Sequence, residues 1–342
     1  MRYRIPSGFA ALFALAAGLC AQEKIQVFQG AQIIPIAGEP IAQGVLIVAG
    51  GKIVALGAAG SVTLPAGAEM HDVTGKVLMP GLVDSHSHAG AGSGGDSSGP
   101  LHPDARVLDS IDVRDASLQK AQAGGITTVN VMPGSGHLIS GQTLYLKNRD
   151  GRTIDDLLIK LSDGSIAGGL KMANGTNSIR AAPFPGTRAK SAALVREQFV
   201  KAQEYRDKVK RAGGDAEKMP PRDLGLEELV EILDGRRIVQ CHTHRHDDIL
   251  TVLRLAKEFG FKVVLHHVTE GWKVAPEIAA AHAACSIIVI DSPGGKLETR
   301  DLEFDNGAVL ERAASSSAST RTTPSPTRAS SCVRRPSGSA PA

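Results

Sequence analysis

The chain of 342 residues has few aromatic side chains and little net charge. Aromatic residues make up 4% of the sequence, and the formal net charge is +3 at pH 7. Lysines and arginines are spread along the chain and form no block. Nucleic-acid-binding proteins present a basic face and stack bases on aromatic rings, so this composition argues against a nucleic-acid partner.

Cysteine is scarce as well. Of the four cysteines, Cys20 lies in an apolar N-terminal segment and Cys332 in a C-terminal tail, which leaves Cys241 and Cys285 in the body of the chain. Both of these stand in apolar, strand-like runs, where a buried free thiol is the ordinary state. The sequence therefore predicts no disulfide framework.

The apolar run at the N-terminus is too short to span a bilayer comfortably, which takes about 20 residues. It covers residues 9–19, follows Arg2 and Arg4, and ends just before the chain becomes polar. This order predicts a secretory signal peptide over residues 1–21, with cleavage after Ala21. We expect an exported protein, periplasmic or extracellular, without a stable membrane span after cleavage. An uncleaved anchor is the alternative.

Two histidines one residue apart end an apolar segment near position 80. Residues 79–88 read MPGLVDSHSH. Side chains i and i+2 of a strand point to the same face, so His86 and His88 can converge on one ion. Neutral imidazole suits zinc and similar divalent metals, and Asp84 could orient a ligand imidazole. The segment resembles the first barrel strand of the amidohydrolase superfamily.

This resemblance extends over residues 25–313 and implies an α/β fold: a (β/α)8 TIM-type barrel with a small β-sandwich. Residues 22–78 would form the N-terminal part of the sandwich, including a hairpin that turns at Gly50 and Gly51. Residues 79–313 would form the barrel, since apolar strands alternate with helices there. The predicted strands are residues 78–84, 127–132, 167–172, 238–241, 262–265 and 286–290, and the predicted helices are residues 112–123, 192–211 and 247–259.

Active sites of such barrels lie at the carboxyl ends of the strands, and two later strands also end in paired histidines. One pair is His242 and His244, and the other is His266 and His267. By analogy with strands five and six of the family, His242 and His267 are the expected metal ligands. His244 would then line the substrate pocket. The register is not visible in the sequence, so the other histidine of each pair stays a candidate.

A lysine, Lys171, stands at the end of the candidate fourth strand. In many binuclear members of the family a lysine there is carboxylated and bridges two metals, which requires a neutral amine that captures CO₂. An ordinary lysine at the rim is the alternative. The resemblance thus implies one or two divalent ions, with zinc the first candidate, held by His86, His88, Lys171, His242 and His267.

The resemblance also implies hydrolysis of amide, cyclic amide or other C–N bonds by metal-activated water, on a small-molecule or short-peptide substrate. In this family an aspartate at the end of the eighth strand is the general base. No such strand follows residues 286–290, and Asp291 ends the seventh strand. The barrel is therefore expected to be incomplete and the catalytic residues stay unassigned. A mononuclear deaminase-like enzyme and a nonenzymatic metal-binding remnant are the alternative functions, and a homo-oligomer is compatible with the sequence.

Residues 314–342 differ sharply from the rest, because they are almost all Ser, Thr, Pro, Arg and Ala. That composition cannot bury a core and predicts disorder. Read one base earlier, their codons are compatible with an apolar strand followed by His-Thr-Asp-Asp-Pro. We hypothesise that this tail is an out-of-frame continuation of an intact gene, and that the chain as written is impaired. A natural disordered extension is the alternative.

Overall fold

The computed structural model describes residues 24–90, 95–288 and 296–319. They fall into two compact units that divide between Pro80 and Gly81. The predicted signal peptide, Asp291 and the tail beyond Ser319 lie outside the described residues. Within them, no helix is both long enough and apolar enough to cross a membrane.

The first unit is built on one five-stranded sheet with the order β3-β2-β1-β4, in which β5 also pairs with β1. Gly50 and Gly51 adopt φ values of 56° and 67°, and this left-handed pair makes the tight turn between β2 and β3. The predicted hairpin is therefore present. The strands are β1 (Gln26–Ile33), β2 (Ile41–Ala49), β3 (Lys52–Ala58), β4 (Glu69–Asp72) and β5 (Val77–Leu78).

The second unit alternates strands and helices. Its strands are β6 (Leu82–Ser87), β7 (Ile126–Val131), β8 (Ile139–Gln142), β9 (Leu144–Lys147), β10 (Gly169–Ala173), β11 (Ile238–Thr243), β12 (Val263–His267) and β13 (Ala284–Ile287). Its helices are α1 (Ala116–Ala123), α2 (Arg188–Ala212), α3 (Leu224–Leu233), α4 (His246–Phe259), α5 (Ala275–Ala280) and α6 (Asn306–Ser319).

These strands form two sheets, with the orders β6-β7-β9 and β13-β12-β11-β10-β8. Strand β6 is parallel to β7, and β10 to β13 are parallel to one another, whereas β9 and β8 run antiparallel to β7 and β10. Thr143 alone separates β8 from β9, and one residue cannot reverse the chain. All the parallel strands therefore point their carboxyl ends the same way. The fold is mixed α/β, and the described residues do not close a barrel.

The core of the second unit lies between the parallel strands and helices α2 to α4. Leu170, Val239 and Leu265 are fully buried in the sheet. Phe199 of α2 is also fully buried and stacks on Phe261, with 4.9 Å between ring centroids. Helices cover parallel sheets in this way, which explains why these strands read as continuous apolar runs. Within the described residues, Cys241 and Cys285 are free thiols, as expected.

Several element bounds differ from the sequence-based prediction for local reasons. Helix α1 begins at Ala116 and not at residue 112, because the Asp115 carboxylate accepts the Ser117 N–H at 2.8 Å and caps the helix there. The predicted strand 78–84 is split around Pro80, which lacks a backbone donor. Helix α6 continues past Ala313 to Ser319, into the first residues of the segment for which the sequence predicts disorder.

Candidate functional site

Six histidines lie at the carboxyl ends of three parallel strands. His86 is in β6 and His88 follows its last residue, while His242 is in β11 and His244 follows that strand. The remaining two are His266 and His267, the last two residues of β12. Strands β11 and β12 pair in register, with His242 opposite His266. The fold thus delivers all three histidine pairs to one end of the parallel strands.

The six imidazole rings contact one another across strands. The His267 ring centroid lies 4.5 Å from that of His242, 5.0 Å from that of His244 and 4.9 Å from that of His86. The His86 ring also lies 5.1 Å from His88 and 4.7 Å from His266. His267 therefore links the histidines of β6 to those of β11. All the histidines predicted as ligands come together, and so do their neighbours His244 and His266.

The backbone at the end of β12 is strained. His267 and Val268 have φ values of 73° and 50°, in the left-handed region that side chains with a Cβ avoid. Each such residue costs on the order of 1–3 kcal/mol, and such strain is concentrated at functional sites. The turn breaks the alternation of the strand, so that His266 and His267, although adjacent, both place their rings against His86.

Four of the rings are held by a hydrogen bond at one nitrogen. His88 Nδ1 donates to the Met132 carbonyl oxygen at 2.7 Å, and His266 Nε2 donates to Gln240 Oε1 at 2.7 Å. His244 Nδ1 lies 2.7 Å from Thr269 Oγ1. Partners of this kind fix the orientation and tautomer of metal-binding histidines. Sequence reasoning missed them, because a carbonyl, a glutamine and a threonine carry no motif.

The fourth partner is Asn177, whose side-chain amide lies 3.1 Å from His242 Nε2. Asn177 stands in a short turn, Gly175–Ser178, that follows β10. The amide nitrogen Nδ2 faces the ring, so Asn177 donates to His242 Nε2, and the proton of the neutral imidazole lies on Nδ1. Nothing in the sequence around Asn177 marks this role, since only the fold brings the turn to β11.

A buried ion network holds that turn. The Glu298 carboxylate accepts the Thr176 N–H at 2.7 Å and pairs with Arg188 at 2.5 Å. Arg188 also pairs with Asp248 at 3.0 Å. Gly175 adopts a φ of 74°, and a Cβ there would lie 2.6 Å from the Glu298 carboxylate. Glycine is thus required for the close approach that places Asn177 beside His242.

Burial makes these imidazoles neutral. It lowers the pKa of His86, His266 and His267 well below the ordinary value, and the nearby Lys171 charge lowers it further. The pKa of His242 is likewise lowered well below its ordinary value, by burial first and then by the neighbouring His267. For His244 burial lowers the pKa to about 4, with a smaller effect of the Lys296 charge. Neutral imidazole is the form that binds metals.

Lys171 lies in the middle of β10 and is fully buried, so it is not a lysine at an exposed rim. Its Nζ lies 3.1 Å from the Met132 sulfur. It pairs in register with Gln240, the residue that holds His266. Asp84 accepts the backbone N–H of His86 at 3.1 Å. Asp84, predicted to orient an imidazole, thus contacts the backbone of His86, and Lys171, predicted as a metal ligand, is buried beside the residue that holds His266.

The side chains of the histidine site have the chemistry of metal ligands. No three His, Cys, Asp or Glu side chains in the described ranges already have the spacing of a complete ligand set. Three buried ring nitrogens have no hydrogen-bond partner, however: His242 Nδ1, His244 Nε2 and His266 Nδ1. A buried nitrogen without a partner is costly unless a ligand takes its lone pair. Neutral, buried imidazoles with free lone pairs fit zinc or a similar divalent ion.

Comparison with known proteins gave no matching family model. Amidohydrolase tasK of Hapsidospora irregularis is 29% identical over 243 residues, which cover 63% of this chain and 25% of tasK. Dihydroorotase of Lactobacillus leichmannii is 27% identical over 266 residues, which cover 68% of this chain and 58% of that enzyme. The chain thus spans about a quarter of one relative and little more than half of the other.

A solved structure is similar over most of its length. The crystal structure of an amidohydrolase from Thermotoga maritima MSB8 has a TM-score of 0.76 and 31% sequence identity. The match covers 84% of this chain and 76% of that chain. The mixed α/β fold described above therefore matches the fold of that protein.

Proposed function

Because the chain belongs to the amidohydrolase superfamily, we propose that the histidine cluster is the active site of a metal-dependent hydrolase of amide, cyclic amide or other C–N bonds. The observation that carries this proposal is the position of His267, whose ring contacts those of His86 and His242 from two other strands. Packing alone gives no reason to bury several neutral imidazoles with free lone pairs against one another.

In this proposal His86, His88, His242 and His267 hold the metal. Lys171 joins them if it is carboxylated, in which case two ions are expected, with zinc the first candidate. When bound, a divalent ion supplies Lewis acidity, which activates water and polarises the substrate carbonyl. His88 is suited to this role, because its Nδ1–H donates to the Met132 carbonyl oxygen and so fixes the tautomer in which Nε2 carries no proton.

The other residues orient these groups and bind substrate. Asn177 and Gln240 hold the rings of His242 and His266. Thr269 contacts His244 at Nδ1. The other ring nitrogen, His244 Nε2, has no partner among the described residues and can make one hydrogen bond to a substrate. His244 is neutral at physiological pH, since burial lowers its pKa to about 4. We therefore assign His244 to substrate binding.

The substrate in this proposal is a small molecule or a short peptide with an amide-type bond. The general base that the family resemblance expects on an eighth strand has no assigned counterpart here. Metal binding does not depend on the base and is the more sensitive test of the site.

One preparation of the protein serves to measure both metal binding and hydrolysis. The purified chain is stripped with a chelator, reloaded with zinc, and assayed against N-acyl amino acids, dipeptides and cyclic amides. We expect hydrolysis of at least one class that is lost on stripping, restored by zinc, and absent from His242→Ala at the same zinc concentration. Hydrolysis that persists in the stripped protein or in His242→Ala would refute the proposal. Zinc bound at the histidines without turnover of any class would favour a nonenzymatic metal-binding protein.

A further inference from the structure

A second polar cluster lies beside His137, in the segment between β7 and β8. His137 is only 4% exposed, and neither ring nitrogen has a well-formed hydrogen bond among the described residues, although the Asp96 backbone lies close enough to raise the pKa of His137. An imidazole always offers at least one donor or acceptor at each nitrogen. A buried ring with two unused nitrogens is expected to have a ligand.

An apolar wall and a fixed positive charge surround this ring. The Phe184 ring centroid lies 5.4 Å from that of His137, and His102 lies edge-on at 5.5 Å. The Arg180 guanidinium stacks over Phe184, 3.8 Å from its centroid. Arg180 also donates to the carbonyl oxygen of Gly136, the residue before His137. These contacts hold the guanidinium beside His137, although the Arg180 side chain remains exposed.

The charges at this cluster favour an anion over a metal ion. Burial lowers the pKa of His137, and the Arg180 charge lowers it further. The Asp96 carboxylate, which is exposed, lies 4.0 Å from His102 Nε2 and accepts the Ser98 N–H at 2.8 Å, and it raises the pKa of His137 by less than burial and Arg180 lower it. A guanidinium next to a neutral imidazole repels a cation. It binds carboxylate and phosphate oxygens well, because its N–H groups match their geometry.

The cluster lies at the same end of the parallel strands as the histidine site. Leu138, which follows His137, accepts the N–H of Ala173 at the end of β10 at 3.2 Å. The segment after β10 then contacts both clusters, since Asn177 reaches His242 and Arg180 reaches Phe184. A ligand held at Arg180 is therefore one short chain segment away from the residue that orients His242.

We propose that His137, Arg180 and Phe184 form a subsite for an oxyanion group, a carboxylate or a phosphate, of the molecule whose C–N bond is cleaved. The Arg180 guanidinium binds the anion, a ring N–H of His137 donates to it, and the Phe184 ring packs against the adjoining apolar part. That the anion belongs to a substrate rests on the proposed hydrolase function. The binding of the anion itself does not.

The experiment uses calorimetric titration of the purified chain with benzoate, inorganic phosphate and benzamide. Benzoate and benzamide differ in charge and match in ring, so their comparison isolates the anion. The variants are Arg180→Gln, and His137→Phe, which retains a ring without nitrogens. Arg149→Gln is the control, because Arg149 is also exposed and also donates to a backbone oxygen, that of Asp156. Thermal unfolding shows whether each variant is folded.

We expect benzoate or phosphate to bind at least about tenfold more tightly than benzamide, and this preference to disappear in folded Arg180→Gln and His137→Phe but not in Arg149→Gln. The tighter of the two anions identifies the oxyanion as a carboxylate or a phosphate. Equal binding of benzoate and benzamide with no binding of phosphate, or a preference that survives in Arg180→Gln, would refute the subsite. Since the titration needs neither metal nor turnover, a protein that binds the anion but hydrolyses nothing would refute only the proposed hydrolase.

Discussion

Ser85 of β6 and Ser286 of β13 share a hydrogen bond, with 3.0 Å between their hydroxyl oxygens. These strands belong to different sheets, so a side-chain contact stands where backbone pairing would close a barrel. Ser85 precedes His86, and Ser286 lies opposite His266 in the register of β12 and β13. The two serines thus lie next to His86 and His266, whose ring centroids are 4.7 Å apart. The first and last strands of the second unit reach the same site although the described sheets remain separate.

The first prediction concerns metal content. The double substitution His86→Ala/His88→Ala should lose most of the zinc that the purified chain retains after dialysis, because it removes one of the three strands that supply imidazoles. Elemental analysis of the protein measures this. His282→Asn is the matched control, since His282 is exposed and asparagine tolerates its left-handed φ of 52°. Equal zinc in the double variant and in the control would remove His86 and His88 from the site.

Lys171 gives the second prediction. If it is carboxylated, the metal-loaded chain should bind two ions, and intact mass under mild conditions should show the added mass of one CO₂. Lys171→Ala should then bind one ion less. Lys273→Ala is the control, because Lys273 forms ion pairs with Glu270 and Asp301 away from the six histidines. Full retention of a single metal in Lys171→Ala would instead favour a mononuclear, deaminase-like site.

The third prediction tests the turn after β10. Asn177→Leu should lower the zinc affinity by roughly 10–100-fold, because His242 loses the group that orients its ring. Asn177→Asp should retain more of the affinity, since a carboxylate oxygen can accept an Nε2–H from the other tautomer of His242 and so orient the ring. Competition with a chromogenic chelator gives both constants. If leucine and aspartate have the same effect, the contact at 3.1 Å does not orient the ring.

The fourth prediction is a pH dependence of stability away from the site. Glu228 is 4% exposed, and burial raises its pKa to about 8 although Arg237 lies 3.2 Å away. Its pKa in the unfolded chain is lower, about 4.3, so the folded state binds more protons between the two values. This group therefore contributes stability that is lost as the pH rises from about 4.3 to about 8.

Denaturant unfolding of the wild type and of Glu228→Gln from pH 5 to pH 8 measures this effect. Across that range, the free energy of unfolding of the wild type should fall relative to that of Glu228→Gln. The slope of this difference with pH should correspond to the release of at most one proton. Glu231→Gln serves as the control, because Glu231 is the other carboxylate paired with Arg237. A constant difference between the wild type and Glu228→Gln at every pH would show that Glu228 is ionised in the folded protein.

Export is the fifth prediction. The mature protein from its native host should begin near Gln22 and be found outside the cytoplasm, because Arg2, Arg4 and the apolar run that follows have the sequence pattern of a signal peptide. N-terminal sequencing of the fractionated protein decides it. A protein that keeps Met1 and stays in the cytosol would contradict the prediction.

Much of the site could be predicted because its signals are local. The family resemblance read from residues 79–88 is confirmed by the similarity to the Thermotoga amidohydrolase. Paired histidines at strand ends are visible in the sequence, since a strand pattern alone places i and i+2 on one face. All the predicted histidines are brought together in the structure. Whether they and Lys171 bind metal stays a prediction.

The rest depends on long-range contacts that no local pattern carries. Asn177 and Glu298 act from turns far from His242 in sequence. Strands β8 and β9 were missed because residues 139–147 run past a glycine with a φ of 128° and carry no clear alternation. The sequence also could not decide between His266 and His267, because the left-handed turn at His267 lets both rings face His86.

That turn also makes the metal preference of the site open to redesign. At a left-handed position, aspartate and asparagine cause less backbone strain than valine or leucine do. His267→Asp would therefore exchange an imidazole for a carboxylate at a position with a φ of 73° with little added backbone strain. Carboxylate oxygens suit magnesium and manganese, whereas imidazole suits zinc. If the site binds zinc as proposed, a single substitution at the end of β12 would shift its preference toward magnesium or manganese.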